Sequence, residues 1–142
     1  MFLIDTNAIS EARKGGRANP GVRRFFERSA VEGHDLFLSV VTVGELRQGV
    51  DRIRHRGDTD QALRLEAWLA DLLAAYHDCV LSVDGEIAQL WGRLRVPHPE
   101  NALDKLIAAT ALIHDLIIVT RNRQDFDGTG VQVLNPFSET RW

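Results

Sequence analysis

Residues 2 to 11, Phe2-Leu3-Ile4-Asp5-Thr6-Asn7-Ala8-Ile9-Ser10-Glu11 ("FLIDTNAISE"), decide how the rest of the chain is read. Three apolar side chains run without a break into a carboxylate, a hydroxyl and a carboxamide. An uninterrupted apolar run suits a strand buried on both faces of a parallel sheet. Such a strand ends on a charge where its end reaches something that uses the charge. In an open parallel α/β sheet that place is the edge at which strands finish and helices begin, where ligands bind.

Working outward, short β-rich segments recur between longer helix-like ones. Strands are expected at Phe2–Asp5, Leu36–Val41, Val80–Val83, Ile117–Thr120 and Val131–Leu134. Helices are expected at Ala8–Lys14, Pro20–Val31, Val43–His55, Gln61–Tyr76, Gly85–Arg95 and Ala102–His114. Leu65, Trp68, Leu69, Leu72 and Leu73 form the i, i+3, i+4 stripe of an amphipathic helix. Gly15-Gly16, Asn19-Pro20-Gly21, Gly57-Asp58 and Pro97-His98-Pro99 fall between the elements as breakers. Alternating strands and helices predict a mostly parallel sheet with helices on both faces. No repeat, low-complexity stretch or linker interrupts the pattern, so one domain over 1–142 is expected.

Composition narrows the class. The 44% hydrophobic and 26% charged fractions match an ordinary globular protein. One cysteine, Cys79, excludes an internal disulfide framework. The N-terminus lacks a basic region and meets Asp5 too early for a signal peptide, and no apolar run approaches the roughly 18 residues of a membrane span. A cytoplasmic protein with no membrane partner is expected. The net charge of −3 gives no sign of a nucleic-acid binder, although arginines come in local groups, Arg47/Arg52/Arg54/Arg56 and Arg121/Arg123 among them. Solvated helix faces account for such groups as readily as phosphate binding does.

Asp5, Glu45 in "SVVTVGELRQGV", Asp104 in "LDKLIAATAL" and Asp125 in "VTRNRQDF" all fall near the strand-end edge of this outline. Each has a structural alternative. Thr42-x-x-Glu45 and Asn101-x-x-Asp104 have the form of capping boxes, Asp5 can cap the helix after it, and Asp125 can stabilise a turn. Carboxylates gathered at one edge repel unless a cation compensates, and hard oxygen donors suit Mg²⁺ or Mn²⁺. Ala108, Ala109 and Ala111 would let their helix approach the sheet closely, and Gly49 leaves space beside Glu45. The scattered histidines and lone cysteine argue against zinc. Phosphate-loop, dinucleotide and serine-elbow motifs are absent, and Asn7 breaks a D-x-D phosphatase pair. A receiver domain would want a lysine after Thr120 and leaves Glu45 unexplained.

Taken in order, "LIDTNAIS", "SVVTVGELRQGV", "LDKLIAATAL" and "VTRNRQDF…GVQVLNPF" resemble a PIN-domain ribonuclease over essentially the whole chain. The nearest resemblance is to the VapC-like toxins of type II toxin–antitoxin pairs, with their FitB-like branch. It implies a three-layer α/β/α fold and a Mg²⁺- or Mn²⁺-dependent endoribonuclease that a cognate antitoxin inhibits. It also implies a homodimer. By position, Asp5, Glu45 and Asp104 match the family's metal-binding acids, and Thr6 and Thr120 match hydroxyls that organise the site. Asn122 stands where many relatives carry a fourth acid, and Asp125 is the candidate to supply that charge. Asn7 joins the supporting shell, and Arg47, Arg121 and Arg123 are candidates to hold RNA phosphates. A PIN-like module that binds RNA or a partner without cutting it is the alternative.

Overall fold

The computed structural model describes residues 1–138. Its sheet has five parallel strands in the order β3-β2-β1-β4-β5. These are β1 (Phe2–Ile4), β2 (Leu36–Ser39), β3 (Val80–Leu81), β4 (Ile117–Val119) and β5 (Val133–Leu134). The helices are α1 (Thr6–Ala12), α2 (Pro20–Glu32), α3 (Val40–His55), α4 (Thr59–Ala75), α5 (Gly85–Leu94) and α6 (Ala102–Ile113). All five expected strands and all six expected helices are present, and the α/β/α architecture stands. Among the described residues no helix is long and apolar enough to cross a membrane.

Handedness explains the layering. From β1 through β2 to β3 the chain steps outward in one direction, and right-handed crossovers place α1 to α4 on one face. It then returns across the sheet to β4, which reverses the direction and puts α5 and α6 on the other face. The core divides accordingly. Ile4, Leu38 and Val119 point into one cluster with Ala8, Ile9, Phe25, Leu46, Val50 and Leu69. Leu3 and Ile118 point the opposite way, onto Ile107, Ala108 and Ala111 of α6 and Phe126. Alternate residues of β1 therefore serve different layers, which is why its sequence shows no polar alternation.

Local chemistry sets the element ends. The side chain of Asn19 accepts hydrogen bonds from the Gly21 and Val22 N–H groups at 2.9 and 3.3 Å, and Pro20 opens α2. Gly33, at φ +70°, closes it in the left-handed conformation that favours glycine. Asp84 accepts from the Ile87 N–H at 2.9 Å as the cap of α5, so its place after β3 is structural.

Several boundaries differ from expectation. The second strand stops at Ser39, two residues short of Val41, because the Ser39 hydroxyl accepts from the Val41 N–H at 3.0 Å and starts α3 there. The helix α1 begins at Thr6, directly after β1, with Asp5 as its cap. Strand pairing in β3 and β5 covers two residues each. The leucine stripe of α4 faces the core as its spacing predicts, with Leu69 buried and Leu65, Trp68, Leu72 and Leu73 packed around it. Phe25 is core, and the Trp91 indole N–H donates to the Ala102 carbonyl at 2.8 Å, tying α5 to α6.

Candidate active site

The chain leaves β1 and its neighbour β4 in opposite senses, so a crevice opens outside their C-terminal ends. The register Ile4↔Val119 sets the next residues, Asp5 and Thr120, side by side. Asp5 is 7% exposed and Thr120 fully buried. The Thr120 hydroxyl donates to Asp5 Oδ2 at 2.8 Å, and the Thr6 N–H donates to Asp5 Oδ1 at 2.9 Å. Asn7 links the two strands. Its Nδ2 donates to Thr120 Oγ1 at 3.0 Å and to Asp5 Oδ2 at 3.4 Å, while its Oδ1 accepts from the Arg121 N–H at 2.9 Å. The Asn122 N–H also donates to Thr120 Oγ1, at 3.1 Å, and Asn135 Nδ2 donates to the Arg121 carbonyl at 3.2 Å. Both lone pairs of Asp5 Oδ2 are engaged by these bonds, while Oδ1 keeps one free.

Glu45 reaches the crevice from α3. Its Oε1 accepts from the Thr6 hydroxyl at 2.6 Å. The capping-box reading of Thr42-x-x-Glu45 fails because Ser39 is the cap, which leaves Thr42 inside the helix with a buried hydroxyl that has no partner. The reading of Asn101-x-x-Asp104 as a capping box also fails. Asn101 takes a left-handed conformation, φ +56°, and makes no side-chain cap bond, so Asp104 in the first turn of α6 is not tied to the helix start. Asp125 sits in a 3₁₀ turn, Arg123–Phe126, that packs on α6.

Electrostatics join the four acids. Asp104 is raised from 3.8 to about 6, first by burial and then by the charges of Asp125, Asp5 and Glu45. Asp5 is raised by burial, against which the Thr120 and Thr6 hydrogen bonds act, and further by Glu45 and Asp125. Asp104 and Asp5 thus both lie in the fields of Glu45 and Asp125, and Asp125 acts on Asp104 more strongly than Asp5 or Glu45 does. Such a set of hard oxygen donors with uncompensated charge fits a divalent cation chemically. As placed, no three His, Cys, Asp or Glu side chains among the described residues are gathered into a metal-holding group.

The expected arginines divide. Arg47 Nη1 pairs with Glu66 at 2.8 Å on the helix surface. Arg121 lies over the Phe137 ring at 4.3 Å and 3.9 Å from Glu11, bracing the loop after β4. Arg123 borders a surface hollow along β5, with Val131 and Val133. Sequence reading missed Glu11, a buried carboxylate that accepts from Lys14 Nζ and from the Asn19 N–H, both at 2.9 Å. Its carboxyl is held below the usual range by Lys14 first and the Asn19 N–H second. Its i, i+3 spacing to Lys14 was the available signal. The alanines of α6 do allow close approach, with Ala108, Ala109 and Ala111 all fully buried. At Gly49 a Cβ would meet nothing within 4 Å, so packing does not require glycine there.

The fold has counterparts among known proteins. The family model of the PIN domain matches residues 2–131. The chain belongs to the PIN-domain family. Among its relatives, the toxin FitB of Neisseria gonorrhoeae is 34% identical, covering 98% of this chain and 100% of that protein. The plasmid stability protein StbB of Pseudomonas syringae pv. tomato is 32% identical over 96% of this chain and 99% of that one. The VapC ribonuclease Y4jK of Sinorhizobium fredii is 29% identical over 96% and 98%. Among solved structures, FitAcB from Neisseria gonorrhoeae superposes with a TM-score of 0.78 at 31% identity, covering 98% of this chain and all of that one. The PIN domain described here therefore shares its fold with these proteins along nearly its full length.

Proposed function

We propose that this PIN domain is a Mg²⁺- or Mn²⁺-dependent endoribonuclease toxin, held inactive by a cognate antitoxin. The observation that carries the reading is the mutual charge of Asp5, Glu45, Asp104 and Asp125 at one strand-end crevice, with Asp104 raised to about 6. The names of two relatives support it, one a toxin and one a ribonuclease. A cation held by Asp5, Glu45 and Asp104 would neutralise the non-bridging oxygens of a phosphodiester and acidify a bound water. The chain's own residues do the rest. Thr120, Asn7 and the Thr6 N–H fix the Asp5 carboxylate in one orientation. The Thr6 hydroxyl holds one oxygen of Glu45 and leaves the other to accept a proton from the attacking water. Asp125 supplies the fourth charge that Asn122 lacks. Attack by water at phosphorus leaves a 5′-phosphate and a 3′-hydroxyl, with no use of the 2′-hydroxyl.

The test is cleavage of RNA by Asp5→Asn and Asp104→Asn, each checked for folding by circular dichroism. Both are expected to lose metal-dependent cleavage, and persistence of cleavage in EDTA would sink the mechanism. One observation favours the second reading, a PIN domain that binds RNA or a partner without cutting it. No three of the described acids are gathered as placed. Titration with Mn²⁺ separates the two readings, since a catalytic site binds the ion and loses it in Asp5→Asn.

A further inference from the structure

Two cavities on the α1–α4 side of the sheet share a wall. One, of about 240 Å³, opens beside the bonded pair Thr6 and Glu45 and has an apolar floor that includes Leu46 and Val50. The other, of about 460 Å³, is bordered by Arg13, Arg17, Gln61, Arg64, Leu65 and Trp68. Arg13, Leu65 and Trp68 line both. Together they make one groove that leads from the acidic edge to three guanidinium groups.

These three arginines border one cavity and, among the described residues, are not spent on ion pairs. Arg28, Arg47 and Arg54 each pair with a carboxylate. Among the described residues, Arg13, Arg17 and Arg64 have no carboxylate within ion-pair distance. All three are exposed. Helix ends explain Arg13 and Arg17, which follow α1 and close a 3₁₀ turn where cations are favoured. They do not explain Arg64, which lies in the second turn of α4, towards the end where the dipole disfavours a cation. Three like charges converge at a cost, in a chain of net charge −3, unless an anion joins them. Guanidinium groups bind phosphate bidentately, and Trp68, one turn after Arg64, offers a ring for stacking a base.

We infer that this groove carries the single-stranded RNA away from the acidic edge, with Arg13, Arg17 and Arg64 holding phosphates and Trp68 stacking on a base. The inference rests on the nuclease reading of that edge. An apolar protein segment would use the floor of the groove but has no need of three unpaired cations.

The test measures anisotropy of a short fluorescein-labelled single-stranded RNA of mixed sequence against the Asp5→Asn protein over a salt series. Adding Arg17→Ala with Arg64→Ala is expected to weaken binding at least about tenfold and to lower the log–log salt slope by roughly 1.4, at about 0.7 per lost phosphate contact. Arg28→Ala removes the same charge at the opposite end of β1, beside Phe2 and His34, and is expected to leave both unchanged. With Asp5 intact, the double arginine variant should raise KM for that RNA with kcat nearly constant. Unchanged affinity and slope, or an equal loss in Arg28→Ala, overturns the inference and leaves the groove to a protein partner. If the wild type cuts RNA and the arginine variants match it, the groove assignment alone falls. Arginine-dependent binding without any cutting keeps the groove and removes the nuclease reading.

Discussion

Thr120 holds more of the crevice than its size suggests. Its single hydroxyl donates to Asp5 and accepts from both Asn7 and the Asn122 N–H. Thr120→Val therefore removes three hydrogen bonds, to buried Asp5 and half-buried Asn7 and Asn122, and is expected to cost about 1–3 kcal/mol in urea unfolding. Because that bond is the largest influence lowering the Asp5 pKa, its loss should move the acidic limb of the pH–rate profile to higher pH, and Thr120→Ser should restore it. Asp104 gives the opposite balance of stability and activity. Its native carboxyl sits at about 6 against an ordinary 3.8, so the native state holds the proton more tightly than the unfolded chain does. In EDTA the wild type should then lose stability as pH rises from 3.8 through 6, and level off above. Asp104→Asn lacks this titration, so its Tm advantage should grow across the same window while cleavage disappears. A Tm difference independent of pH would contradict the shift.

At the scale of elements, α3 shows why Glu45 is free to serve the crevice. Ser39, fully buried, caps the helix, and the next two valines are already helical. Ser39→Ala should cost about 1 kcal/mol. Thr42, whose buried hydroxyl has no partner, should behave in the reverse way: Thr42→Val is expected to be neutral or stabilising. A loss of stability in Thr42→Val comparable with that in Ser39→Ala would restore the capping box and with it a structural role for Glu45. The sequence pattern S/T-x-x-E occurs at Thr42 but cannot say which of Ser39 and Thr42 starts the helix. Hydrogen-bond geometry decides, because a β-prone Val-Val pair reads equally well as strand or helix.

Across the whole molecule, the reversal of chain direction at β1 and β4 brings residues more than a hundred positions apart into contact, as in the 2.8 Å bond between Thr120 and Asp5. The same sheet separates the two core clusters, and Ile4 and Leu3 anchor β1 to one each. A ligand that relieves the repulsion of the four acids should stabilise the native state alone. Mn²⁺ at one hundred times its Kd is expected to add about 2.7 kcal/mol, seen as a rise in Tm that Asp5→Asn abolishes. An equal rise in Asp5→Asn would place the ion elsewhere.

Fold class and the number of strands and helices were legible in the sequence, and so were the acids as candidates. Period, breakers and the abrupt polar end of "FLIDTNAISE" are local properties, and each strand carries its own burial pattern. Asp5 proved to be both helix cap and crevice acid, two roles that a one-dimensional reading sets against each other. The tertiary structure alone decided that Asn7 bridges to Thr120, that Asp125 presses most on Asp104, and that Arg47 is spent on Glu66 while Arg13, Arg17 and Arg64 meet in one groove. These depend on which side chains the crossovers bring within a few ångströms, and hydrogen bonds and charge pairs fall off over that distance. Spacing along the chain does not encode it.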